Sequence, residues 1–437
     1  MKTKTKAKAI IMTIFIILIF YFIVFVKIVF NFGSFQNLKI AEIFYLLGKL
    51  AGLMGFLFLS LLIFSGDTAR FFDKFFGIDK IIKFQRKFAT TTAIFVSLHP
   101  IFFILSSKLI LPYIIPDFSV IPLALGIISF YIFTVVIIAS KIYKRISYGA
   151  WQFIHILTYI LFFFVLYHAF NWGFDSGNWF MRIIYSILLI AIIIGIIYRT
   201  GYKIKQKYAG KFYVQDIKNE TRDAFTLTLK PEKKLLFKAG QFCFLRLNKN
   251  KLYARHPFTI SNSPKKEELC FTIKLAGKFT KALSELKKGE EVIIDGPFGI
   301  FTIEDLGKDL VFIAGGVGIT PFMSIIKDRM EDNNTQNIVL LYGSKTKEDI
   351  IYAEQLNSIK KDWFKKVYIL SDDYSFFKTY EYETGYINKE IIKKYVKNIN
   401  NSLFYICGPE LMKNNLKKIL NKLGVNKQNI KIEDFFW

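Results

Sequence analysis

Long apolar runs alternate with short basic connections through the first half of the chain. Six of these runs could cross a bilayer, which takes about 20 apolar residues in a helix, and they lie at 10–30, 40–64, 88–106, 117–140, 150–171 and 178–198. Lysine and arginine crowd the N-terminus, the second and fourth connections and the segment after the last run. Since basic loops stay in the cytoplasm, the pattern predicts six transmembrane helices with both termini cytoplasmic.

The pattern changes after residue 209. Short alternating runs such as FTLTL, FCFLRL and CFTIKL predict a small antiparallel barrel or sandwich. From residue 309 onward, the strand-like runs DLVFIAG, NIVLLYG, KVYILSD and LFYICG alternate with helical patterns, as in a parallel α/β domain. The predicted domain boundaries are therefore 1–208, 209–304 and 305–437.

Composition agrees with a membrane portion joined to a mixed one. The 437 residues are 53% hydrophobic and include 48 Phe. The net charge of +26 comes without a nucleic-acid motif, so we attribute it to topology and a lysine-rich surface, and nucleic acid is not expected as a partner. The three cysteines form no CxxC pattern, which suits a reducing compartment.

A glycine-rich turn in DLVFIAGGVGITPFMSII is the first candidate binding motif. Gly315, Gly316 and Gly318 would let the backbone approach a pyrophosphate at a helix N-terminus. Pro321 fits the first helical turn. Taken alone, the turn fits equally well a tight strand-to-helix connection that binds nothing.

Further segments accompany this turn: RHPFTIS, GKFT, GPFG, YGSKT, YICGP and the C-terminal EDFFW. In order and spacing they make residues 211–437 resemble the ferredoxin–NADP reductase superfamily. The resemblance implies FAD contacts from His256, Pro257, Phe258, Thr259, Ser261, Lys274, Gly277, Thr280, Phe435 and Trp437. It implies nicotinamide-dinucleotide contacts from Gly315, Gly316, Gly318, Thr320, Pro321, Gly343, Ser344, Cys407, Gly408 and Pro409.

The same resemblance assigns the site of hydride transfer. It places Cys407 at that site and an aromatic residue on the flavin, for which Phe435 is favoured and Trp437 is the rival. Lys345 would favour the 2′-phosphate of NADPH, whereas Asp372 and Asp373 would disfavour it, so NADH and NADPH both remain open.

Three of the four histidines, His99, His155 and His168, lie in predicted membrane helices, where an imidazole is costly and marks function. Haem iron accepts axial histidine. Six helices followed by the flavin module resemble the ferric reductase and NADPH oxidase superfamily across the whole chain. That resemblance implies b-type haems between the third and fifth helices, with His99 and His168 as the outer ligands and His155 as an inner one.

Gln85 stands where the family carries the second inner ligand. It precedes His99 by fourteen residues, which is about 21 Å and close to four helical turns. Glutamine is a poor haem ligand, so the inner haem is held by His155 with altered ligation, gains another ligand, or is absent. Of these three outcomes we favour an inner haem with altered ligation. For the haem content as a whole, one b-type haem is expected and a second is left open. On an ideal helix His155 and His168 would point about 140° apart, so a wide turn or bend would be needed to aim both at stacked haems.

The leading hypothesis is a transmembrane oxidoreductase. It would carry electrons from cytoplasmic NADPH or NADH, through FAD and b-type haem, to external O₂, giving superoxide, or to ferric iron. Two alternatives are a haem protein for electron transfer that supplies an extracytoplasmic partner protein, and a membrane-anchored NAD(P)H flavin reductase without a transmembrane relay. The expected fold is a six-helix haem-binding bundle, an antiparallel β-barrel FAD domain and an α/β nucleotide-binding domain. The expected location is a bacterial inner membrane; the oligomeric state stays open.

Overall fold

The computed structural model describes residues 39–143, 145–172, 177–207, 210–247, 255–303, 307–331, 336–372 and 381–434. The chain divides into two compact units, Met1–Lys207 and Tyr208–Trp437.

The described part of the first unit is helical. Its helices are α1 (Ile40–Asp67), α2 (Ala69–Phe76), α3 (Ile78–Ser107), α4 (Ile121–Lys141), α5 (Tyr148–Trp172) and α6 (Trp179–Lys207). Five helices of the described chain are long and apolar enough to cross a membrane, all but α2. The predicted span at 10–30, which would make the sixth helix, lies outside the described residues.

Two helices extend beyond the predicted apolar spans. Helix α3 begins at Ile78 rather than near residue 88, and α6 continues to Lys207 rather than ending near residue 198. The added turns are rich in lysine and arginine, which are good helix formers but lower local hydropathy. An apolar pattern therefore marks the membrane-crossing part of a helix and misses its basic extension.

Small residues bring α1 against α3. A Cβ added at Gly48 would lie 3.2 Å from the Phe103 ring, and one at Gly55 would lie 3.0 Å from Val96. Helices in lipid associate through such close backbone approach. On another face of α1, Phe56 stacks on Phe162 of α5 with ring centroids 5.6 Å apart.

The second unit begins with a six-stranded antiparallel sheet. Its strands are β1 (Phe212–Thr221), β2 (Ala224–Pro231), β3 (Phe242–Arg246), β4 (His256–Thr259), β5 (Leu269–Lys274) and β6 (Glu291–Phe298). Their order is β4-β3-β6-β1-β2-β5, which leaves β4 and β5 as the ends. One bridge, Ile260 to Phe271, joins the chain after β4 to β5. The antiparallel prediction is confirmed, whereas a closed barrel is not. Helix α7 (Lys278–Ser284) follows β5.

A parallel α/β domain completes the second unit. Its strands are β7 (Leu310–Gly315), β8 (Ile338–Ser344), β9 (Phe364–Leu370), β10 (Tyr382–Thr384), β11 (Leu403–Cys407) and β12 (Ile430–Ile432). The helices are α8 (Thr320–Met330), α9 (Ala353–Ser358), α10 (Lys389–Tyr395) and α11 (Glu410–Lys422). Across the sheet the strands lie in the order β10-β9-β8-β7-β11-β12: the chain adds β8, β9 and β10 on one side of β7 and then β11 and β12 on the other, so the strand order reverses at β7. Separate apolar clusters cover the two sheet faces. The α/β prediction is confirmed, and its four predicted strands are β7, β8, β9 and β11.

Candidate functional site

A cavity of about 550 Å³ lies inside the helical unit, and two histidines face each other across it. His99 comes from α3 and His168 from α5. Their ring centroids are 6.3 Å apart and the ring planes stand at 83° to each other. The helices thus place two imidazoles, distant in sequence, on opposite sides of one space.

Backbone carbonyls fix the orientation of both rings. The Nδ1 atom of His99 lies 2.8 Å from the carbonyl oxygen of Gly48, and Nδ1 of His168 lies 2.9 Å from that of Pro122. Because a carbonyl can only accept a hydrogen bond, each Nδ1 carries the proton and donates it. The lone pair of each ring is therefore on Nε2, the state in which a neutral imidazole binds a metal.

Glycines make room for these rings. A Cβ at Gly52 of α1 would lie 2.4 Å from Nδ1 of His99, and a Cβ at Gly126 of α4 would lie 2.7 Å from Nδ1 of His168. Any larger residue at either position would overlap the imidazole. Both rings therefore rest on bare helix backbone.

The arrangement fits an iron held between two imidazoles. A metal–imidazole bond is about 2 Å long, and the nitrogen lies about 1 Å in front of its ring centre, so two such ligands place their centroids about 6 Å apart. The observed separation is 6.3 Å. Two neutral imidazoles leave four positions of an octahedral iron for a porphyrin. The donor set and the apolar cavity both suit haem.

Gln85 and His155, the two residues considered at the inner haem position, contact side chains outside this cavity. Gln85 of α3 donates from Nε2 to the Ser65 hydroxyl at 3.1 Å. His155 of α5 is exposed and its ring stacks on Trp151, with centroids 4.6 Å apart. Helix α5 is continuously α-helical from Tyr148 to Trp172, so the wide turn needed to aim His155 and His168 at stacked haems is absent from it.

A polar cluster lies at the same end of the bundle as Gln85 and His155. Tyr159, one turn after His155, donates to Oδ1 of Asp67 at 2.6 Å. Arg199 of α6 donates to that oxygen at 3.0 Å and to the Tyr159 hydroxyl at 2.7 Å. Asp67 is 3% exposed and lies two residues after the Ser65 that binds Gln85. This end therefore contains polar side chains bonded to one another.

The predicted flavin motif forms β4 and the turn after it. His256, Pro257, Phe258 and Thr259 pair with β3. The His256 ring stacks on Phe279 of α7 with centroids 4.1 Å apart, and burial lowers the pKa of this imidazole. A neutral aromatic surface thus lies where β4 meets α7.

The other predicted flavin residues take several positions. Thr280 accepts from the backbone N–H groups of Ala276 at 2.9 Å and Gly277 at 3.1 Å, which shapes the start of α7. Ser261 is buried and donates to the carbonyl of Cys270 at 3.1 Å. Lys274 forms an ion pair with Asp223 at 2.9 Å. Phe435 and Trp437 lie outside the described residues.

The predicted nicotinamide motifs meet at the carboxyl edge of the parallel sheet. A Cβ at Gly318 would lie 2.4 Å from the carbonyl oxygen of Cys407, and a Cβ at Gly408 would lie 3.1 Å from the backbone of Gly315. The turns after β7 and β11 therefore pack backbone against backbone, at the point where the strand order reverses. Ligands of open α/β sheets bind at such points. Gly316 adopts φ +52° beside open space.

The neighbouring residues complete this edge. Thr320 donates to the carbonyl of Val317 at 3.1 Å, and Pro321 occupies the first turn of α8. Gly343 and Ser344 end β8 beside Gly315. Pro409 is the N-cap residue of α11. After β9, the N–H of Asp372 donates to the carbonyl of Lys345 at 3.0 Å, so two of the three residues that bear on nicotinamide choice lie together. The third, Asp373, lies outside the described residues.

Cys407 is buried beside the C-terminal segment. Burial, with the Glu433 carboxylate as a further cause, raises the pKa of its thiol. Glu433 donates from its backbone N–H to the carbonyl of Ile406 at 3.0 Å. Lys413 of α11, 5% exposed, donates to the Glu433 carbonyl at 3.3 Å and pairs with Glu410 at 2.9 Å and with Asp434. The neutral Cys407 thiol thus lies beside Glu433 and Asp434, which Lys413 bonds to α11.

Three family models match the chain. They are the ferric reductase-like transmembrane component at residues 51–166, an FAD-binding domain at 210–302 and the oxidoreductase NAD-binding domain at 312–418. The chain thus combines a ferric reductase-like transmembrane component with an FAD-binding domain and an oxidoreductase-type NAD-binding domain. The expected resemblance, a ferric reductase-like membrane part followed by a flavin and nicotinamide module, is confirmed.

Curated relatives match part of this chain. One component of the Na(+)-translocating NADH-quinone reductase of Idiomarina loihiensis is 31% identical over 169 residues, which are 37% of this chain and 40% of the relative. The corresponding component from Neisseria meningitidis is 32% identical over 165 residues, 36% and 40% of the two chains. The chain therefore spans about two fifths of the length of these relatives.

Solved reductases align with about half of this chain. A cytochrome P450 reductase of Amycolatopsis has a TM-score of 0.47 and 23% identity, over 52% of this chain and 69% of that one. A ferredoxin NADP+ reductase from Neisseria gonorrhoeae with bound FAD and NADP has a TM-score of 0.46 and 20% identity, over 52% and 98%.

Sequence reasoning missed several residues around the histidines. Gly52 and Gly126 accommodate the two rings, and Lys49 lines the same cavity. Gly48 and Gly52 are four residues apart in an apolar helix, a spacing of small residues that marks close helix contact. That spacing would have located the contact with α3, although it would not have named His99 as its partner.

Proposed function

We propose that this protein carries electrons from cytoplasmic NAD(P)H, through FAD and one b-type haem, to an acceptor outside a bacterial inner membrane. The acceptor is O₂, giving superoxide, or ferric iron. The observation that carries the proposal is the His99–His168 pair, with ring centroids 6.3 Å apart across an apolar cavity. FAD, when bound, supplies the conversion of a two-electron hydride into single electrons.

The chain's own residues have assigned roles in this proposal. His99 and His168 bind the haem iron through Nε2, and the carbonyls of Gly48 and Pro122 hold the imidazoles in that tautomer. The domain boundaries are 1–208, 209–304 and 305–437, with the predicted first helix completing six spans.

The flavin contacts come from the first part of the second unit and from the C-terminus. They are His256, Pro257, Phe258, Thr259, Ser261, Lys274, Gly277, Thr280, Phe435 and Trp437. The nicotinamide-dinucleotide contacts lie at the carboxyl edge of the parallel sheet. They are Gly315, Gly316, Gly318, Thr320, Pro321, Gly343, Ser344, Cys407, Gly408 and Pro409. Cys407 acts by packing as a neutral thiol beside the transferring hydride, because burial raises its pKa. The relatives' description as components of an NADH-quinone reductase makes NADH the first donor to test.

One haem, rather than two, is the number that the contacts favour. Gln85 is bonded to Ser65, and His155 stacks on Trp151 instead of facing the cavity that contains His99 and His168. Tyr159, Asp67 and Arg199 are bonded to one another at the same end of the bundle. A second porphyrin there would have to break this cluster, whose buried carboxylate needs its partners.

The test is the haem and FAD content of detergent-purified protein, with a reduced-minus-oxidised spectrum. We expect one low-spin haem per FAD, reducible by NADH or NADPH without oxygen. His99→Ala and His168→Ala should each abolish the spectrum, while His155→Ala should leave it unchanged. Two haems per FAD would contradict the assignment at Gln85. A flavin-loaded protein without haem would leave a membrane-anchored flavin reductase.

A further inference from the structure

The connection between α3 and α4, residues 108–120, is apolar and exposed. It contains no acidic or basic residue between Lys108 and Asp117. Six of its large hydrophobic side chains are between 44% and 66% exposed: Leu109, Ile110, Leu111, Ile114, Ile115 and Phe118. A contiguous apolar patch on the surface of a protein marks a contact with a partner or with a membrane.

The position of this connection favours lipid as its partner. Both helices that it joins are long and apolar enough to cross a membrane. Helix α4 has 21 residues, about the length of one crossing, so its first residue and the connection before it lie near a bilayer surface. The exposed apolar surface also continues onto both helices, at Leu105 of α3 and Ile121 of α4. The patch is therefore continuous with the surface that these helices present to lipid.

The backbone in the middle of the connection presents no unpaired donor. Every backbone N–H from residue 112 to residue 116 is either bonded within the connection or absent, because residues 112 and 116 are proline. The three N–H groups between the prolines donate to the carbonyls of Ile110 and Leu111 at 2.9–3.1 Å. The Tyr131 hydroxyl of α4 donates to the Ile114 carbonyl at 2.5 Å. Since an unpaired backbone group is costly where water is scarce, this turn can contact lipid through its side chains.

We propose that residues 109–118 insert into the lipid interface at the end of the bundle that contains His99 and His168. The depth is that of an interfacial segment, about 5–10 Å into the boundary between headgroups and acyl chains. Lys108 and Asp117 set this limit, because both are exposed and their charges require water or headgroups. The placement goes beyond the proposed function and does not depend on haem or on the electron acceptor.

Tyr113 joins the inserted segment to the cavity. Its half-buried ring lines the cavity and stacks on Phe103 of α3, with centroids 6.1 Å apart and planes at 11°. Phe103 in turn meets the His99 ring edge-on, with centroids 5.1 Å apart. The lipid contact of the connection thus holds an aromatic side chain in the cavity wall on the side of His99.

The experiment attaches the environment-sensitive fluorophore NBD to single introduced cysteines in full-length protein, reconstituted into phosphatidylcholine vesicles. The test variants are Leu111→Cys and Phe118→Cys, at two side chains that are each 66% exposed. Ile194→Cys, near the middle of α6, is the control for the membrane interior, and Tyr386→Cys in the second unit is the control for water; both side chains are exposed. Wild-type protein, whose three cysteines are buried or half-buried, gives the background labelling. The readouts are the emission wavelength and the quenching by lipids that carry a nitroxide near the headgroup or near the end of the acyl chain.

We expect blue-shifted emission at positions 111 and 118, with greater loss of emission from the nitroxide near the headgroup than from the one near the chain end. Ile194→Cys should show the opposite preference, and neither nitroxide should quench Tyr386→Cys. Emission as in water at the two test positions would overturn the inference. Blue-shifted emission that neither nitroxide quenches would also overturn it, because protein, such as a second copy of this chain, would then cover the patch. The haem and FAD content tests the proposed function separately, since none of these results concerns a cofactor.

Discussion

Replacing Gly52 by alanine tests the fit of His99 directly. The added Cβ would lie 2.4 Å from Nδ1 of His99. Carbon and nitrogen atoms normally approach to about 3.5 Å, so the imidazole must retreat by about 1 Å. Since metal–ligand distances tolerate shifts of only about 0.2 Å, the displaced ring can no longer bind an iron centred between His99 and His168.

The energetic cost follows from the same contact. Overpacking costs about 1–3 kcal/mol, and loss of the 2.8 Å hydrogen bond from His99 to Gly48 costs about 1 kcal/mol more. Alanine in a helix recovers about 0.5–1 kcal/mol relative to glycine. We therefore expect a net destabilisation of about 2 kcal/mol together with loss of haem.

The matched control is Gly201→Ala on α6, where an added Cβ would meet no atom within 4 Å. That variant should gain about 0.5 kcal/mol and keep its haem. Gly126→Ala should resemble Gly52→Ala, because its Cβ would lie 2.7 Å from Nδ1 of His168. The assay is haem per FAD by pyridine haemochrome and the melting temperature in detergent. A Gly52→Ala protein with full haem content and the wild-type Soret band would refute the assignment.

Three further predictions concern the second unit. Tyr352→Phe removes the buried hydroxyl bonded to Thr272 and should lower the stability of this unit by about 1–3 kcal/mol, whereas exposed Tyr386→Phe should not; equal melting curves would contradict this. Burial lowers the pKa of His256 from 6.5, so wild-type stability should fall as the pH drops below about 6.5, and His256→Gln should flatten that dependence in thermal melts at pH 5 to 8. Burial raises the pKa of every thiol in the chain, so iodoacetamide at pH 8 should modify them only after denaturation, as read by mass spectrometry of Cys243, Cys270 and Cys407.

Local sequence patterns predicted where the helices and strands lie better than they predicted which of these elements contact one another. Apolar runs located the five described spans, and alternation located β2, β3 and β5, because burial on one or both faces imposes a period that can be seen in sequence. The short strands β10 and β12 have three residues each and carry too little pattern to be recognised. Closure of the antiparallel sheet depends on which strands meet at its ends, which no local pattern records.

In the candidate sites, too, local motifs could be predicted from the sequence, whereas contacts between distant residues could not. Gly315 and Cys407-Gly408 could be proposed because glycine-rich turns after strands have a shared physical reason. Their direct packing against each other depends on the reversal of strand order at β7, a property of the whole sheet. Likewise, histidines in apolar helices pointed to haem, while the carbonyls of Gly48 and Pro122 that set their tautomers lie 51 and 46 residues away.

Gln85 illustrates why residue spacing alone could not settle the haem number. The fourteen-residue interval correctly implied that Gln85 and His99 share a helix face, and both side chains do contact α1, at Ser65 and Gly48. Gln85 is bonded to Ser65, and two residues further along α1 Asp67 is bonded to Tyr159 of α5 and Arg199 of α6. None of these side chains lines the cavity that contains His99 and His168. The role of Gln85 therefore has to be judged from what its side chain contacts, and in the described structure it contacts the Ser65 hydroxyl.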